Sequence, residues 1–104
     1  MSISTDVLWG GRLTALAFDP AIHMLTLNVE VLDGGTETSY EMVCAGVSEL
    51  RFSNSIPEPW SYAEVTEIHL NETTSGRCTV EVLLWSEASE LAWTSDSVEV
   101  RVRS

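Results

Sequence analysis

Leu25-Thr26-Leu27-Asn28-Val29-Glu30-Val31-Leu32-Asp33-Gly34-Gly35 is the stretch that decides the fold. Leu25, Leu27, Val29 and Val31 alternate with Thr26, Asn28 and Glu30, a period of two that sorts apolar and polar side chains onto opposite faces of an extended strand. Asp33-Gly34-Gly35 then supplies the positive φ angles of a tight hairpin turn. A partner strand is expected from about Thr36 to Ala45, with Tyr40, Met42 and Cys44 facing inward.

The same rhythm runs outward in both directions. Upstream, Arg12 to Phe18 reads as a strand closed by the Asp19-Pro20 turn. Downstream, Val47 to Phe52 alternates again, with Leu50 and Phe52 opposite Glu49 and Arg51. Ala63 to Leu70 is rich in β-branched residues, although Ser61-x-x-Glu64 also fits a capping box that would open a helical turn. After Thr74-Ser75-Gly76, the residues Cys78, Val80, Val82 and Leu84 form one face, with Leu83 and Trp85 on the other. The last strand presents Val98, Val100 and Val102 inward, and the charges of Glu99, Arg101 and Arg103 would guard a sheet edge. The spacing predicts an all-β domain: a single antiparallel β-sandwich or strongly curved sheet of about six or seven strands. Its expected core includes Leu25, Leu27, Val29, Cys78, Val80, Val82, Val98 and Val100.

At 104 residues the chain has room for one core and one domain, residues 1–104. A hydrophobic content of 44% is enough to pack that core without metals or cross-links. Sixteen acidic residues face five arginines and no lysine, for a formal net charge of −11. Nucleic acid and anionic membranes both require basic residues against phosphate, so neither is expected as a partner. A basic protein is the partner such a field would steer inward, while solubility alone also accounts for an acidic surface. Val7 to Phe18 is interrupted by Gly10, Gly11 and Arg12 and does not read as a targeting signal, so the expected location is cytoplasmic, with Cys44 and Cys78 as reduced thiols.

Chemistry-bearing patterns are sparse. His23, His69, Cys44 and Cys78 stand singly, without metal-ligand spacing, and no metal or cofactor is expected. No nucleophile elbow or phosphate-cradling glycine loop is present. Pairs such as Glu64 with Glu67, or Glu87 with Glu90, arise readily among sixteen acidic residues and point to a solvated face rather than a glycosidase cleft. No catalytic residue is assigned.

The segment that breaks the strand rhythm is Ser53 to Tyr62, with prolines at 57 and 59. It is longer than a hairpin needs and carries Glu58, Trp60 and Tyr62, the candidate binding residues. Tryptophan anchors interfaces by burying a large area at low entropic cost. A Trp60 folded back as a core residue is the competing expectation.

Leu13 to Asp19 (LTALAFD), Leu25 to Val31 (LTLNVEV), Gly46-Val47-x-x-Leu50-x-Phe52 and Glu64 to Leu70 (EVTEIHL), read together, resemble small bacterial β-domains that include YxiG-like proteins and some immunity proteins of polymorphic toxin systems. Many such chains carry a His-Asp pair ahead of the first strand. Here Trp9-Gly10-Gly11-Arg12 stands there, and nothing depending on that pair carries over. Together with the −11 charge and the aromatic connection, the resemblance points to a non-enzymatic interaction protein, an immunity-type inhibitor of a basic toxin or nuclease, a role held by some members of that group. A carbohydrate-binding β-sandwich module with Trp60 and Tyr62 as a stacking platform is the alternative. An enzyme with an unrecognised site ranks last.

Overall fold

The computed structural model describes residues 4–103. One 3-10 turn, Thr5–Leu8, precedes eight strands: β1 (Arg12–Asp19), β2 (Met24–Asp33), β3 (Thr36–Ala45), β4 (Ser48–Asn54), β5 (Ala63–Glu72), β6 (Cys78–Leu84), β7 (Ser89–Ser95) and β8 (Ser97–Val102). They form a single antiparallel sheet in the order β4-β7-β6-β5-β1-β2-β3-β8, which does not close. The fold is therefore all-β, with eight strands in one sheet rather than six or seven in a sandwich.

The deciding hairpin forms as the alternation requires. Asp33 pairs with Thr36 across Gly34 and Gly35, whose φ angles of 59° and 85° suit a two-residue turn that glycine enters without steric cost. Leu25, Leu27 and Val29 are at most 2% exposed, beside buried Met42 and Cys44.

The sheet has two four-stranded halves, β1-β2-β3-β8 and β5-β6-β7-β4. Two residue pairs join them, Arg12 with Glu64 and Leu13 with Ala63. Both strands bulge beside this joint, β1 between Leu13 and Ala15 and β5 between Val65 and Glu67. Bulges bend and over-twist a strand, which lets one continuous sheet curl on itself. One core cluster draws on both halves: Leu25, Leu27, Met42 and Val100 from the first, Val65, Val82, Leu91 and Trp93 from the second. Each half thus covers the other's inner face.

Residues Leu8 to Gly11 pin the joint. Gly10 N–H donates to the Val65 carbonyl at 2.7 Å, and Val65 N–H to the Gly11 carbonyl at 2.8 Å. A side chain at Gly11 would meet Val29 Cγ1 at 2.8 Å and two carbonyl oxygens at 3.0 Å, so the close approach requires glycine. Leu8, fully buried, plugs the core behind it.

Several expectations change. β7 was not foreseen, although it holds the fully enclosed Trp93. Its core-facing positions begin and end in Ser89 and Ser95, and Ala92 on the other face is also buried, so no clean alternation survives. The capping-box pattern at Ser61 opens no helical turn; β5 starts at Ala63. Trp85 does not lie on β6 but in the turn that follows it. Cys78 and Val98 are half-buried rather than fully enclosed, Cys78 as the first residue of β6 and Val98 as the second of β8. Val102 is exposed at the end of β8, and β8 is an edge strand whose Arg101 bonds Glu41 of β3 at 2.7 Å.

Truncating Trp93 to alanine should cost about 3–5 kcal/mol in urea denaturation, whereas Leu32→Ala, 69% exposed, should cost within about 0.5 kcal/mol.

Both cysteines are free thiols, Cys44 buried and Cys78 half-buried. Burial pushes the Cys44 thiol from its ordinary 9.0 up to about 11, against the opposing effect of the nearby Trp93 and Ser95 side chains. The unfolded chain ionises this thiol first, so its contribution is intact below pH 9.0 and is lost as pH rises toward about 11. Stability measured across that window should fall, and Cys44→Val should remove part of the fall.

Candidate functional site

Cross-strand partners share a face, which exposes an anomaly in β1. Leu16 lies opposite Leu27, and Phe18 opposite Leu25, so both belong to the inner face. Yet Leu27 and Leu25 are at most 1% exposed, while Leu16 and Phe18 are 41% and 37% exposed. Phe52 on β4 repeats the pattern: its partner Leu91 is buried, and it is 57% exposed itself. The two halves cover each other at the joint and part beyond it.

A cavity of about 330 Å³ fills the parting. Leu13 and Leu16 of β1 form one wall, Leu50 and Phe52 of β4 another, Leu84 and Leu91 the floor, and Trp60 stands at the side. All seven lining residues are apolar. A second concavity follows β1 from Leu13 to Leu16 against Trp60, Ser61 and Tyr62.

The connection that carries Trp60 is rooted by specific contacts. Asn54 brackets Ile56, accepting its N–H at 3.0 Å and donating to its carbonyl at 2.7 Å. Ser55 donates its N–H (3.0 Å) and its hydroxyl (2.6 Å) to the Ala88 carbonyl in the β6–β7 turn. Trp60 is then held between Phe52 at 6.2 Å and Trp85 at 6.2 Å, nearly perpendicular to the latter. Tyr62 also packs against Trp85, at 5.4 Å, with the Arg12 guanidinium 5.9 Å from the centre of its ring. Arg12 is itself fixed by Glu37 at 2.7 Å.

Trp85 is the keystone of this cluster, and its backbone is strained. Its φ is 53°, left-handed for a bulky side chain, and Ser86 follows at 64°. Such a conformation costs roughly 1–2 kcal/mol. Three contacts hold it: Trp85 N–H to the Glu64 carbonyl at 2.9 Å, Ser86 N–H to Thr66 Oγ1 at 2.7 Å, and the flanking rings. The Trp85 indole nitrogen is buried without a hydrogen-bond partner.

The three candidate binding residues are placed as follows. Trp60 is half-buried and packed against the core, so it is both core residue and cavity wall. Tyr62 is 40% exposed and joins Trp60 through Trp85. Glu58 is exposed, and no described residue pairs with it. Leu16, Phe18, Phe52 and Trp85 were not foreseen as part of the site. Alternation sets Phe52 opposite Glu49 and Arg51, whereas Leu16 and Phe18 share the inner face with Leu13 only because β1 bulges between Leu13 and Ala15.

No catalytic constellation accompanies the cavity. Among the described residues no three His, Cys, Asp or Glu side chains gather as a metal site. His69 bonds Glu67 at 2.9 Å on the exposed end of β5, and His23 occupies the β1–β2 turn. Among the described residues no helix is long and apolar enough to cross a membrane. Neither the protein-family models nor the curated proteins contain a match to this chain.

Proposed function

We propose that this chain is a non-enzymatic binding protein for a basic protein partner, of the immunity-inhibitor kind that the sequence resemblance implies. The observation that carries the proposal is the uncovered inner face: Leu16 and Phe52 line an apolar opening with Trp60 at its side, and Phe18 lies exposed further along β1, in a chain of net charge −11. Exposed apolar surface of this kind marks a binding site. Interfaces take their affinity from desolvated aromatic and aliphatic anchors, and their association rate from long-range charge. This chain supplies both, in different places. The sheet, curled like a sandwich left open along one side, is the rigid frame. The strained Trp85 turn and the tied Ser53–Tyr62 connection hold the rings in place before any partner arrives, which lowers the ordering cost of binding.

The carbohydrate alternative is less well supported by the same geometry. Sugars stack on open ring faces and need polar groups for their hydroxyls. Trp60 is flanked by Phe52 and Trp85, and the cavity walls carry no polar side chain beyond its indole N–H.

Capture from an extract of the native cell at low salt should retain a basic protein whose association rate falls as salt rises. Phe52→Ala, exposed on an edge strand, should leave unfolding stability within about 1 kcal/mol and weaken that complex by roughly 2 kcal/mol, chiefly through faster dissociation. Trp60→Ala should lower both binding and stability, because Trp60 packs on the core as well. An acidic partner, or a complex indifferent to both salt and Phe52→Ala, contradicts the proposal.

A further inference from the structure

We infer that the free edge of β1, from Thr14 to Asp19, receives an extended strand from the basic partner, whose alternate apolar side chains cover Leu16, Phe18 and Phe52. The inference rests on the binding role proposed above and specifies how the site is used.

The first support is the unfinished ladder. β5 pairs with β1 only at Arg12 and Leu13, whereas β2 pairs with it through Asp19. From Thr14 onward β1 has a strand on one side alone, and on its other side the Trp60–Tyr62 segment stands across a concavity from Leu13 to Leu16 without pairing with it. No backbone hydrogen bond from another described segment reaches that side. In an antiparallel strand every second residue turns its N–H and C=O away from a given neighbour, so a row of donors and acceptors stands open there.

The second support is the match between this edge and the bare inner face. Leu16 and Phe18 are two residues apart on one strand, about 7 Å along it. A strand laid beside β1 presents its own side chains at the same spacing and on the same face. Those pointing inward enter the cavity whose far wall is Leu50 and Phe52. One added strand therefore satisfies the backbone edge and completes the core together, as extended peptides do when they join a sheet.

Charge selects the occupant. Asp19 at the end of β1 and Glu58 in the adjoining connection have no basic partner among the described residues, and the chain as a whole is at −11. A second copy would bring an equal negative charge against the first. A segment alternating apolar and basic residues meets both requirements, apolar side inward and basic side toward the acidic surface.

The probe is a capped peptide of about eight residues in which lysine alternates with valine or isoleucine, titrated into the full chain with residue-resolved amide spectra. Shifts are expected in β1 from Thr14 to Asp19 and around Phe52 and Trp60. Methylating every second peptide nitrogen, in the register that faces β1, should weaken binding roughly tenfold or more, while methylating the other set should not. Leu16→Thr, with an unchanged spectrum elsewhere, should weaken it comparably. If neither methylated set differs from the parent, strand addition is wrong although the apolar site stands. If a peptide with glutamate in place of lysine binds equally well, the basic-partner proposal fails while strand addition stands. Absence of binding, or a concentration-dependent dimer with β1 at its centre, overturns the inference.

Discussion

The fold depends on a joint of two residue pairs. Among the described residues, strand pairing between the two four-stranded halves of the sheet is confined to Arg12 with Glu64 and Leu13 with Ala63, extended by the Gly10 and Gly11 backbone bonds to Val65. An eight-stranded antiparallel sheet without covering helices must bury its apolar face against itself. Bulges on both sides of the joint make that possible, and Gly11 lets the chain before β1 lie tight against Val29 and Glu30 of β2 while its carbonyl accepts from Val65 of β5. The short joint also leaves the rest of β1 without a second neighbour.

That compromise has an energetic signature. Fully burying a large apolar side chain is worth about 1.5–3 kcal/mol. Leu16, Phe18 and Phe52 forgo part of that gain, although their strand neighbours Leu27, Leu25 and Leu91 obtain it. Nearby, Trp85 occupies a left-handed backbone conformation and buries an indole N–H with no acceptor. Ring contacts of about 0.5–1.5 kcal/mol each offset the strain. Unfavourable features gathered at one opening are what a preorganised binding surface looks like, because a partner that covers the opening recovers the forgone burial. Elsewhere charges pair in the ordinary way, Arg101 of β8 with Glu41 of β3, and Arg77 with Asp96 between the β5–β6 and β7–β8 turns.

Much of the architecture was legible from residue order alone. Alternation in Leu25–Val31 and turn chemistry at Gly34-Gly35 placed β2 and β3, and seven of the eight strands announce themselves similarly. β7 does not. Its inner face runs Ser89, Leu91, Trp93, Ser95 with polar residues at both ends, and buried Ala92 interrupts the polar outer face of Glu90 and Thr94, so the polar-apolar contrast that marks a half-exposed strand is missing. Trp85 misleads for a related reason: its spacing continues the β6 pattern, but the chain has already turned. Among the site residues, the irregular connection drew attention to Trp60 and Tyr62. Phe52, Leu16 and Phe18 look like ordinary core positions in sequence. Their exposure follows from where the β1–β5 ladder stops, a long-range property that no local pattern encodes.

Residue-resolved amide hydrogen exchange of the free protein tests the central claim most directly. If β1 is paired on one side only beyond Leu13, its amides should alternate between Ala15 and Asp19, those facing β2 protected and those facing the opening exchanging rapidly. The same strand should lack that alternation at Arg12 and Leu13, where β5 adjoins it. Uniform protection along β1 would show that the edge is already covered, and the account of an open, partner-ready sheet would be wrong.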